Sequence, residues 1–192
     1  MTRAALLFAV VLGGLAGCAS PIVQKATALM AGTTVTAPTV ITALDARQKT
    51  MTVLDKNVAF LIVPIKQAEG GVTVWSSADN VQFTFRGDML ISTRGTGPDL
   101  MSSSGPSLSQ IKTRNGPFAR KYHFLDGSDQ SVVLAYNCSV KDMLVPKGNR
   151  HVVEDCSGSE GSFRNEYLFG ADGAVSETIQ WLGSGNGRFL IK

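Results

Sequence analysis

The chain has 192 residues, a formal net charge of +3 at pH 7 and 44% hydrophobic residues. Its basic residues stand singly among acidic ones, so the surface reads as mixed and solvated, and nucleic-acid binding is excluded. The length suits one domain with a core of its own.

Thr2 and Arg3 open the chain, and Ala4 to Leu12 form an apolar run of nine residues before Gly13 and Gly14. Such a run is about half of the roughly 20 residues needed to cross a bilayer as a helix, so it reads as a secretory signal. Leu15-Ala16-Gly17-Cys18 follows and resembles a bacterial lipobox. That resemblance implies cleavage after residues 1–17 and acylation of Cys18, with palmitate-type chains on the thiol and on the new N-terminus. Several chains anchor stably where one does not, each buried methylene contributing about 0.8 kcal/mol. Ala19 and Ser20 follow with no Asp, which by resemblance to enteric sorting favours the outer membrane over the inner. Residues 18–38 are small and polar and read as a tether, leaving 39–192 as a single β-rich domain.

Within the domain, Thr39 to Gln48 offers one short N-terminal helix, with Thr39 as N-cap and Val40 and Leu44 on one face. Period-two alternation then dominates. Val58 to Ile65 is a nearly continuous apolar run that suits a strand buried on both faces, with Pro64 at an edge or bulge. Val72 to Trp75 and Val81 to Phe85 follow, and Gly87-Asp88 turns the chain into Met89 to Thr93. Gly95 to Gly116, rich in Ser, Gly and Pro, reads as a long irregular stretch. Six further strands follow: Ala119 to Leu125, Ser131 to Val140, His151 to Cys156, Ser162 to Phe169, Val175 to Leu182 and Arg188 to Lys192. Turn residues such as Asp126-Gly127 and Asp172-Gly173 separate them. The expected fold is all-β, an antiparallel meander of about ten strands closed into a barrel or sandwich. A membrane-spanning barrel is disfavoured by short strands and a redundant anchor.

With Cys18 spent on lipid, Cys138 and Cys156 remain, in an oxidising compartment. Their expected disulfide closes a loop of about 19 residues, worth roughly 3 kcal/mol in the chain-entropy model; the alternative is two buried free thiols. No metal site is expected, because neither His123 nor His151 lies at ligand spacing to both cysteines, and no cofactor is implied.

Candidate binding residues each carry a plainer reading. Arg94 and Asp99 can meet sugar hydroxyls or carboxylates, or they can pair to hold a turn in which Gly95 and Gly97 take positive φ. Trp75 and Trp181 can stack on sugar rings, or pack inside the sheet. Asp155, Glu160, Glu166 and Asp172 offer carboxylates for glycoside cleavage, but no spacing brings two together. Ser102-Ser103-Ser104-Gly105 lacks a nucleophile-elbow context and reads as flexible loop. His123, between Tyr122 and Phe124, reads as a wall residue.

Three segments carry a family resemblance. They are Trp75 to Leu100, with Thr93-Arg94-Gly95-x-Gly97-x-Asp99-Leu100 its most specific part; Asn137-Cys138 with Glu154-Asp155-Cys156; and Asn165-Glu166-Tyr167 with Gln180-Trp181-x-Gly183. Together with the lipobox, the chain resembles the YjbF/GfcB family of group 4 capsule polysaccharide lipoproteins. The resemblance implies a folded antiparallel meander and a role beside other envelope proteins in exopolysaccharide or capsule production. The expectation is therefore a non-catalytic interaction module. It would be anchored in the outer membrane, face the periplasm, and have polysaccharide and export proteins as partners. The alternatives are a polysaccharide-modifying enzyme and a general envelope-structural lipoprotein.

Overall fold

The computed structural model describes residues 48–114, 116–125, 130–143, 145 and 148–192. The leader, Cys18, the tether and the helix expected at Thr39 to Gln48, apart from Gln48 itself, lie outside them.

Twelve strands form one antiparallel sheet among the described residues. They are β1 (Lys49–Val53), β2 (Val58–Ala68), β3 (Val72–Ser77), β4 (Gln82–Arg86), β5 (Met89–Arg94), β6 (Leu100–Ser104), β7 (Phe118–Leu125), β8 (Ser131–Met143), β9 (Arg150–Gly158), β10 (Gly161–Phe169), β11 (Val175–Trp181) and β12 (Arg188–Ile191). Every strand pairs with its neighbours in sequence except at one point, and β1 pairs with β12 through Met51 opposite Ile191. The exception is β5 and β6, the two ends of the sheet. Side chains bridge them instead of a ladder: Ser103 Oγ donates to Leu90 O at 3.1 Å, and Leu100 N donates to Thr93 Oγ1 at 2.9 Å. The sheet is thus a nearly closed barrel with a seam.

The meander expected from alternation is present, with two strands more than expected. β1 lies directly behind the segment read as helix, where Met51 and Val53 already alternate inward. β6 lies inside the stretch read as irregular, so Ser102, Ser103 and Ser104 belong to a strand rather than a flexible loop. The same stretch holds a helix, α1 (Leu108–Thr113), opened by a reciprocal capping box between Ser107 and Gln110. α1 buries Ile111 against Met89, Tyr167, Phe169 and Val152, and Lys112 Nζ donates to Gly173 O at 3.1 Å.

β2 corrects another expectation. It is central and has a register shift between Pro64 and Lys66, as the proline requires. Only one of its faces is buried, however: Ile62 is fully buried, while Val63 and Ile65 are 41% and 53% exposed. A barrel wall has a solvent side, which an apolar run does not reveal.

Packed side chains fill the interior. Tyr122, Tyr136, Phe163 and Trp181 interlock edge to face, with Phe163 and Trp181 stacked at 4.3 Å. Such pairs add about 0.5–1.5 kcal/mol each beyond burial. Met51, Ile62, Phe83, Phe85, Leu90, Leu100 and Phe189 extend this core. The outer side of β8–β10 carries Lys141, Asp155 and Arg164 in contact, a charged wall unlike the apolar band of a lipid-embedded barrel.

Antiparallel order fixes two rims. Gln48 enters and Lys192 leaves at the proximal rim, with turns 69–71, 87–88 and 170–174. Turns 54–57, 78–81, 95–99 and 182–187 lie at the distal rim.

Candidate functional site

The distal rim is built from two segments far apart in sequence. In turn 95–99, Gly95 and Gly97 have φ of +86° and +98°, as expected for those glycines. Arg94 does not close this turn. The Asp99 carboxylate accepts from Gly95 N at 2.9 Å, Thr96 N at 2.8 Å and Thr96 Oγ1 at 2.9 Å. Backbone donors are fixed by the turn itself, whereas a long guanidinium would lose side-chain entropy to reach the same oxygens. Burial opposes the Asp99 charge, but these bonds from Gly95 and Thr96 outweigh it and hold the carboxyl below its ordinary range. Arg94 is exposed and makes no ion pair among the described residues.

Turn 182–187 meets that loop. Asn186 Nδ2 donates to Pro98 O at 2.7 Å and to Thr96 Oγ1 at 3.2 Å. Gly183 has φ +97°, and a Cβ there would lie 2.8 Å from the Phe124 ring. Gln180, just before this turn, reaches across to the seam. Its Oε1 accepts from Leu90 N at 2.9 Å, and its Nε2 donates to Asp88 O at 2.7 Å. The side chain thereby caps the edge of β5 that has no strand partner among the described residues. Trp181 N donates to Asn165 Oδ1 at 2.8 Å.

A groove of about 550 Å³ runs over the outer side of the seam below this rim. Gln82, Thr84, Ser92 and Arg94 supply its polar lining; Val74, Met101 and Leu125 supply apolar surface. Of the four expected binding residues, the groove brings together Arg94 and Asp99. Trp75 and Trp181 belong to the packed interior, Trp75 lying edge-on to Phe85 and under Lys49 Nζ. Neither indole faces this groove.

A shallower polar groove lies over β8–β10 and contains both Asp155 and Glu166. Both carboxylates are engaged there. Asp155 meets Lys141 at 2.6 Å and Arg164 at 2.7 Å, and Glu166 meets His151 at 2.9 Å. The hydrogen bond from Lys141, then that from Arg164, holds Asp155 below its ordinary range despite some burial. Asp172 caps its own turn by accepting from Ala174 N.

Sequence reasoning missed the interior polar cluster. Arg120 and Glu154, 2% and 0% exposed, form a two-point ion pair: Nε to Oε1 at 2.6 Å and Nη2 to Oε2 at 3.0 Å. Tyr167 Oη donates to Glu154 Oε2 at 2.7 Å, and Asn165 Nδ2 donates to the same oxygen at 3.1 Å. Burial opposes the Arg120 charge, but the facing Tyr167, Tyr122 and Glu154 raise its pKa above the ordinary value. Burial, reinforced by Glu154, raises that of Tyr167. The available signal was the alternation in β7 and β9, which places Arg120 between Phe118 and Tyr122, and Glu154 between Val152 and Cys156, on inward positions.

Cys138 and Cys156 are opposite one another on β8 and β9 and are joined as a disulfide. With Glu154 they form a cluster of potential metal-ligating groups. The sulfurs are bonded to each other and Glu154 serves Arg120, so this donor set does not fit a metal.

The structure is similar to that of the hypothetical lipoprotein YmcC from Escherichia coli (K12). The TM-score is 0.62 at 12% identity, covering 91% of this chain and 95% of that one; at this identity the likeness is one of fold. No curated protein matches significantly. The family profile described as group 4 capsule polysaccharide lipoprotein GfcB, YjbF matches residues 23–192. With a profile spanning the whole β-rich unit, the chain belongs to the group 4 capsule polysaccharide lipoprotein family.

Proposed function

We propose that this lipoprotein is a non-catalytic interaction module. It supports exopolysaccharide or capsule assembly or export from the outer membrane, anchored through Cys18 with the barrel in the periplasm. One observation carries the reading. The Thr93–Leu100 and Gln180–Gly183 segments, most specific to the family resemblance, converge on one rim through Asn186, Thr96 and Pro98. Their bonds build a rigid outer edge beside an open groove, while aromatic side chains fill the interior. The groove chemistry suits a saccharide segment, with amide, hydroxyl and guanidinium partners for hydroxyl groups and apolar surface for ring faces. Engagement of Asp155 in ion pairs and of Glu166 by the His151 ring favours this reading over a glycoside-cleaving enzyme, which needs carboxylates free for acid and base work.

The test is deletion of the gene followed by complementation. Loss of surface polysaccharide should be restored by the intact chain and not by Cys18→Ala, and Arg94→Ala should restore it only in part. Unchanged polysaccharide amount and composition after deletion would overturn the proposal.

A further inference from the structure

Charge is divided unevenly around the sheet. Among the described residues, every acid within a strand lies on β8 to β11. Each has a basic or imidazole partner, from Asp142 with Arg150 to Glu177 with Lys192. Strands β2 to β5 hold no acid at all. Their basic residues are Lys66, Arg86 and Arg94, all exposed, and none makes a hydrogen bond or ion pair among the described residues. The one carboxylate that lines the seam groove, Asp99, is spent on Gly95 and Thr96.

Register places the three cations on one face. Gln82, Thr84 and Arg86 alternate outward along β4 against the buried Phe83 and Phe85. Arg94 stands opposite Gln82, and Lys66 stands opposite Val74, which is itself opposite Thr84. Arg94 and Arg86 therefore mark the ends of a row about 13 Å long, at roughly 3.3 Å per residue. Lys66 lies beside its middle, about 10 Å away across two strand spacings. Between the two guanidinium groups, Gln82, Thr84 and Ser92 offer amide and hydroxyl groups that make no side-chain bond among the described residues.

We propose that this face takes an acidic polysaccharide, a chain with carboxylates spaced along its length, a refinement that rests on the saccharide reading of the groove. Carboxylates meet Arg94 and Arg86 through their guanidinium forks and Lys66 as a point charge. Ring hydroxyls take the amide and hydroxyl groups between. Charge complementarity selects the polymer: a neutral sugar gains nothing from the three cations, and a compact anion reaches only one of them. Gln82, Thr84, Ser92 and Arg94 line a groove, which suits a single chain better than a plane of anionic lipid headgroups.

The experiment seats the full chain in a phosphatidylcholine bilayer and measures binding of surface polysaccharide purified from its own cells. The polymer is used native or with its carboxyl groups reduced to alcohols. Native polymer should bind at least tenfold more tightly than the reduced form. Arg94→Gln should weaken native binding at least fivefold, and Lys66→Gln with Arg86→Gln should weaken it further. Thermal unfolding should not change, because all three side chains are exposed. Arg164→Gln removes the same charge from β10 and should leave binding as it was. Raising salt from about 0.1 M to about 1 M shortens the Debye length from about 10 Å to about 3 Å and should erase the preference for native polymer. Four results would overturn the proposal: no binding, or equal binding of native and reduced polymer; native binding untouched by Arg94→Gln; an equal loss from Arg164→Gln; or displacement of the polymer by dihexanoylphosphatidylglycerol at matched charge, which would make lipid the occupant. Equal binding of the two polymers alongside loss of polysaccharide on gene deletion would remove this inference and leave the proposed function standing.

Discussion

Two charged side chains, Arg120 and Glu154, sit where the alternation of their strands demands apolar ones, and each is tolerated only because the other is there. Removing one charge from a buried pair strands its partner in a medium that solvates it poorly, at a cost of about 3–5 kcal/mol. Glu154→Gln should therefore lower urea-unfolding stability by that amount, and Tyr167→Phe by about 1 kcal/mol for one hydrogen bond. Asp99 acts in the opposite environment, half in water and fastened to backbone donors. Its folded-state pKa lies below the ordinary 3.8. The contribution of its charge is thus complete above that value and drains away as pH falls through the lower folded one. Circular dichroism during acid titration should show the wild type losing stability in that window. Asp99→Asn should be weaker near neutrality and flatter there.

The seam explains why Gln180 and Gly183 are needed in their element. A β5 edge with no strand partner among the described residues needs its Leu90 N–H covered, and Gln180 supplies the acceptor from the other side of the barrel. Gln180→Leu should cost about 1–3 kcal/mol, the penalty of an unsatisfied buried donor, with faster hydrogen exchange concentrated in β5. Gly183→Ala combines positive φ with a contact against Phe124. It should destabilise by more than about 1 kcal/mol, seen as a lowered Tm. The two extra strands and α1 mark where local reading was weakest. β6 buries only Leu100, so its serines send no β signal and its place is set by pairing with β7. α1 did announce itself, through Ser107 and Gln110 at capping-box spacing, inside a stretch whose Gly and Pro content points to loop.

For the barrel as a whole, one covalent tie crosses the ladder, between β8 and β9. Changing Cys138 and Cys156 together to Ala should lower stability by roughly 3 kcal/mol if the entropy of the open loop dominates, measurable by denaturant midpoint. The strands on either side, β7 to β10, also hold Arg120, Glu154, Asn165 and Tyr167. Loss of the disulfide and loss of the ion pair should therefore be non-additive in a double-mutant cycle. The distal rim depends on the same closure: turns 95–99 and 182–187 touch only because β1 and β12 join the two halves of the meander.

Alternation of apolar and polar residues was enough to identify ten of the twelve strands, the all-β class and the glycine-bearing turns, because side-chain direction in a strand has a period of two. With Cys18 read as the lipid-bearing residue, the remaining pair and the oxidising compartment were enough to expect the Cys138–Cys156 disulfide that the structure holds. Closure at β5 and β6, the fate of Arg94 and the burial of Arg120 with Glu154 came only with the folded chain. Backbone hydrogen bonds are alike in every residue but proline. A strand's sequence therefore says which way its side chains point and little about which strand lies beside it.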